Sequence, residues 1–165
     1  MGRYASKTAV SVENSQREIR GILRRYGADQ FSIPENLQTG EATVVCRIRG
    51  RVLRVEVPAP DEDDYGLTPS GKLRRGQELR RAKDQAFRQR WRALKLLLQA
   101  LLEAVEDGIA DFGTVFMPWV MLPNGQTVAQ AAAPAIERSC ESGTMPTGLL
   151  LPALPAAKAA GRETL

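Results

Sequence analysis

The chain has 165 residues, enough for one domain with a real core, and its 43% hydrophobic and 25% charged composition is that of an ordinary globular protein. It contains no histidine and only two cysteines, which takes away the commonest general base and metal ligand and argues against a disulfide framework or a structural zinc site. The formal charge of +4 is unevenly spread: residues 1–71 balance, residues 96–165 are acidic, and residues 72–95 carry ten positive charges against two negative.

Residues 1–14 read as a flexible arm. Ser15 and Glu18 have the spacing of a capping box, with Ile19, Ile22, Leu23 and Tyr26 following on one helical face and Gly27 as the stop. The opposite face carries Arg17, Arg20, Arg24 and Arg25. Residues 32–41, with Pro34 and Gly40, read as a loop. Ala42–Arg49 and Arg51–Val57 then alternate in polarity around Gly50, which predicts an antiparallel hairpin whose inner face holds Val44, Cys46, Ile48, Leu53, Val55 and Val57. Two strands cannot stand alone, so this hairpin must pack on helices or pair with another chain.

Residues 58–76 are rich in Pro, Gly and charge and read as a mobile loop. The helix predicted over 77–107 has a seam of Phe87, Trp91, Leu94, Leu98, Leu101 and Val105, widened by Leu97 and Leu102. Phe112, Val115, Phe116, Trp119 and Val120 continue at helical spacing, broken by Pro118. A tight turn falls at Asn124-Gly125, Thr127 caps a last short helix through about Ser139, and residues 143–165 read as a Pro/Ala-rich flexible tail. The expected architecture is α+β in one domain over 15–142: an N-terminal helix, a two-stranded antiparallel hairpin, a long helix with a basic first half, and short C-terminal helices.

The basic segment gives the main functional expectation. Arg74, Arg75, Arg80, Arg81, Lys83, Arg88 and Arg92 on the long helix and its leading loop, with Arg47, Arg49, Arg51 and Arg54 around the hairpin, are the candidate nucleic-acid contacts, DNA ahead of RNA. The bland reading is a solvated helix face on which Glu78 and Asp84 pair with Arg81, Lys83 and Arg88. No aromatic residues interleave the arginines, so a stacking platform for single strands is not evident. The run Asp61-Glu62-Asp63-Asp64 reads as a solvated loop that pairs with the basic segment rather than as a cation site. Ser139 and Cys140 have no histidine to activate them, and no phosphate-binding or nucleophile-elbow motif is present. The expectation is a protein without enzymatic activity, cofactor or metal. No signal-peptide core and no bilayer-length apolar run is visible, so the expected location is cytoplasmic, away from membranes.

Two stretches resemble a known group. SVENSQREIRGILRRYGADQF followed by VVCRIRGRVLRVEVPAPD, and RQRWRALKLLLQALLEAVEDGIADFGTVFMPWVMLPNGQTV, are together similar to a family of small uncharacterised phage and prophage proteins, over roughly residues 10–140. The resemblance implies a phage or mobile-element origin and the host cytoplasm as location. It implies no activity. The functional expectation is thus a non-catalytic phage accessory protein that binds nucleic acid in replication, recombination or transcription control. The alternative is a modulator or inhibitor of a host or phage protein, acting on an acidic protein surface through the hairpin edge or the apolar region 112–122, with a homodimer as one allowed state.

Overall fold

A computed structural model describes residue 5, residues 8–68 and residues 70–144. The chain order is helix α1 (Val12–Arg25), strands β1 (Ala28–Ser32), β2 (Ala42–Ile48) and β3 (Arg51–Val57), then helices α2 (Glu62–Tyr65), α3 (Gly76–Glu106), α4 (Phe112–Phe116) and α5 (Val128–Ser142), with a 3-10 turn at Met117–Trp119 after α4. The class is α+β, as the sequence predicts. The sheet corrects the expectation, because it has three antiparallel strands in the order β1-β2-β3 where the sequence shows two.

The hairpin forms as read. Val44 pairs with Val55 and Cys46 with Leu53, and the alternating residues of β2 and β3 are buried on one face. Its two-residue turn places Arg49 at φ 50° and Gly50 at φ 73°, the doubly left-handed geometry that matches strand twist. β1 was hidden in the sequence. Ala28-Asp29-Gln30-Phe31-Ser32 has neither clean alternation nor β-branched residues, and its extended state comes from pairing with β2, Phe31 opposite Cys46 and Ser32 opposite Val45. A bulge interrupts the pairing between Ala28 and Gln30.

α1 begins one turn earlier than the Ser15 capping box predicts, inside the segment read as an arm. Ser11 is the cap, accepting from the Asn14 amide at 3.2 Å, while Ser15 is buried within the helix and its hydroxyl donates to the Ser11 carbonyl at 3.0 Å. Val12 packs against the core, which favours the longer helix.

α1 and α3 run side by side in the same direction. The Thr8 carbonyl accepts from Gln85 Nε2 at 3.1 Å, Glu18 bonds Arg92 at 2.7 Å, and Tyr26 lies beside Glu103 and Glu106, its hydroxyl pKa raised first by burial and then by those carboxylates. Both helices cover the inner face of the sheet. Trp91, Leu94, Leu98 and Leu102 of α3 share one core with Ile19, Ile22 and Leu23 of α1 and with the inner residues of β2 and β3. The predicted seam is therefore intramolecular. Leu102 is buried, whereas its helix-mate Leu97 is 42% exposed.

The loop read as mobile holds local structure. Asp61 caps α2, Leu67 bridges to Leu73, and Arg74 Nη1 donates to the carbonyls of Tyr65 and Leu67 at 3.1 and 2.6 Å. At the C-terminal end α4 runs into the 3-10 turn at Pro118, as the break predicts. Thr127 caps α5 in a full capping box with Gln130, and the helix continues to Ser142, beyond the expected Ser139. The predicted tail falls outside the described residues from 145 onward.

Candidate nucleic-acid interface

The eleven arginines and lysines singled out in the sequence are spread over the hairpin and over the long helix with its lead-in. The fold sorts them by partner. Arg47, on the outer sheet face, holds Asp29 through Nε at 2.9 Å, and that bond lowers the Asp29 pKa. Arg54 bonds Glu56 at 2.9 Å and donates to the Gly125 carbonyl at 3.1 Å. Arg49 lies 5.1 Å over the Phe112 ring, and Arg51 reaches α4, where a side chain on Gly113 would meet its Nη1 at 2.9 Å. The hairpin arginines are thus engaged by β1, by the turn at 122–127 and by α4. Two of the four have a carboxylate in contact, which weakens their claim on phosphates.

The long helix divides in the same way. Arg92 is held by Glu18 at 2.7 Å with only 16% of its side chain exposed, and Lys95 lies 3.8 Å from the same carboxylate. Arg90 donates to the Pro58 carbonyl at 2.6 Å, and Arg88 to Gln85 at 2.7 Å. Lys83 pairs with Glu62 of α2 at 3.3 Å, so the acidic run does meet the basic segment. Among the described residues no group of three or more Asp, Glu or Cys side chains could hold a metal ion. Arg74 is engaged with the loop carbonyls noted above.

Lys72, Arg75, Arg80 and Arg81 remain. All four are exposed, and none has an ionic partner among the described residues. They sit in the lead-in and first turns of α3. Arg75 occupies the cap position in extended conformation (φ −138°, ψ 158°), and its own side chain makes no capping hydrogen bond. The positive end of the backbone dipole therefore lies among these cations. That combination suits an anion: amides at a helix start within reach of flexible guanidinium groups. Glu78 in the first turn is the local counter-charge. Lys72 opens the basic segment counted in the sequence, where nothing local distinguishes it from the charges that find partners.

The surfaces offered for a protein partner are altered too. Phe112 and Phe116 are buried and Trp119 and Val120 pack against the core, which leaves Met117, 48% exposed, as the large apolar side chain that region 112–122 presents at the surface. Neither hairpin edge is open. β1 covers β2, while on β3 Val120 bridges to Leu53 and the Met121 amide donates to the Val52 carbonyl at 2.8 Å.

The chain matches no family model, no curated protein and no solved structure. Among the described residues no helix is long and apolar enough to cross a membrane.

Proposed function

We propose that this chain is a non-catalytic nucleic-acid-binding protein that grips phosphates with the start of α3. The observation that carries the reading is the set of Lys72, Arg75, Arg80 and Arg81, exposed and without a carboxylate partner among the described residues, at a helix start whose cap residue makes no side-chain capping bond. Contacts of this kind hold the backbone and carry no base readout, so binding is governed by charge and salt rather than by sequence. An accessory role in phage replication, recombination or transcription control, in the host cytoplasm, belongs to the same proposal and rests on the resemblance in the sequence.

Fluorescence anisotropy with a labelled duplex over a range of salt tests it. Four phosphate contacts give a slope of log affinity against log salt of about −3.6 on duplex DNA, or about −2.8 on a single strand. Arg80→Glu with Arg81→Glu should lower that slope by about half. Arg47→Gln with Arg54→Gln should leave it unchanged, because Arg47 is paired with Asp29 and Arg54 with Glu56. The opposite pattern would refute the assignment to α3.

A further inference from the structure

The strand that the sequence hid forms the open edge of the sheet. β2 is central, and β3 is capped by Val120 and Met121. No backbone hydrogen bond outside the β2 pairing involves Ala28–Ser32 among the described residues, so the outward amides and carbonyls of β1 have no backbone partner. Beside this edge, α1 and β1 enclose a groove of about 220 Å³. Its floor is the half-buried Phe31, with the buried Leu23 behind it, and its rim is cationic, made by the exposed Arg20 and Arg24. The Arg20 guanidinium lies 5.1 Å over the Phe31 ring. The acid in the groove wall, Asp29, is bonded to Arg47, and neither Arg20 nor Arg24 has an ionic partner among the described residues.

We propose that this edge captures an extended acidic segment of a partner protein as an added strand on β1. The backbone of the segment would bond to β1, and the alternate side chains on its α1-facing side would be carboxylates that meet Arg20 and Arg24. The chemistry of the edge selects the occupant. A strand edge presents donors and acceptors in alternation, and a peptide backbone answers both, whereas a phosphodiester backbone has no donor for the carbonyls. A second copy of this chain is disfavoured, because pairing β1 with itself brings both sets of Arg20 and Arg24 together. The chain's own acidic run is helical in α2 and tied to Lys83 through Glu62. The bulge near Asp29 confines regular pairing to Gln30–Ser32, so the two arginines supply much of the hold.

The inference is independent of phosphate binding at α3, since Arg20 and Arg24 lie on another helix. The test is a titration of the ¹⁵N-labelled full chain with a peptide of alternating Glu and Val, followed by amide shifts. Saturable shifts should centre on residues 28–32 and on Arg20 and Arg24. N-methylating one alternate set of peptide amides should weaken binding by about tenfold or more while methylating the other set leaves it intact, because an added strand uses one edge only. Arg20→Gln with Arg24→Gln should weaken it by a similar factor, and a Lys/Val peptide should not bind. Three outcomes would overturn the proposal. One is shifts centred on Lys72–Arg81 with equal binding of both methylated peptides. Another is no saturation at millimolar peptide. The last is shifts at residues 28–32 that depend on protein concentration alone, which would mean that the edge pairs with its own copy.

Discussion

Leu97 and Leu98 are consecutive on α3 and chemically identical, yet the fold leaves one 42% exposed and the other 2% exposed. Truncating each to Ala therefore measures the orientation of the helix. Leu98→Ala removes three carbon groups from the shared core of α1, α3 and the sheet. At about 0.8 kcal/mol each, the lost transfer energy is about 2.4 kcal/mol. The cavity left behind raises the cost to roughly 3–4 kcal/mol, within the usual range for a buried leucine. Leu97→Ala forfeits part of the transfer energy and leaves no enclosed cavity, so it should cost less than about 1 kcal/mol. For a chain of this size, Leu98→Ala should lower Tm by roughly 10 °C. Urea unfolding followed by tryptophan fluorescence gives both values, with an unchanged m-value required for the comparison. Equal costs at the two positions, or a cost below about 1 kcal/mol at Leu98, would refute the packing. The seam would then be a surface that becomes buried only against another helix.

Glu18 ties α1 to α3 through Arg92 and Lys95, both less than one-fifth exposed. A double-mutant cycle of Glu18→Gln and Arg92→Gln should return a coupling of about 0.5–1 kcal/mol that shrinks at high salt, and a coupling near zero would mean that solvent screens the pair fully. Asp29 and Asp111 have lowered pKa values, Asp29 through its bond to Arg47 and Asp111 through the Thr114 amide. Their contribution to stability is present above the ordinary aspartate value of about 4 and is lost as pH falls through the lower folded values, so Asp29→Asn should flatten the acid limb of the stability curve. Burial pushes the Cys46 thiol up to about 11, so its contribution is present below the ordinary thiol value and is lost as pH rises towards 11. In the native protein the exposed Cys140 should take maleimide rapidly and Cys46 only after denaturant is added, whereas equal rates would show that β2 opens readily.

Periodicity is a local property, and what depends on it was legible in the sequence. The alternation of Val44, Cys46 and Ile48 against Leu53, Val55 and Val57 set the inner face of the hairpin, and the spacing of Trp91, Leu94 and Leu98 set the buried face of α3. The Thr127 cap and the Pro118 break are likewise written in neighbouring residues. The basic character of 72–95 was also plain from counting. Which of those charges stay free was not, because electrostatic partners are chosen by tertiary distance. Glu18 lies 74 residues before Arg92, and Asp29 reaches Arg47 only because Ala28–Ser32 folds onto β2. β1 itself escaped the sequence for the same reason: an edge strand of weak intrinsic preference takes its conformation from the ladder it joins, so the sheet's open edge and the groove beside it exist only once α1, β1 and β2 are assembled.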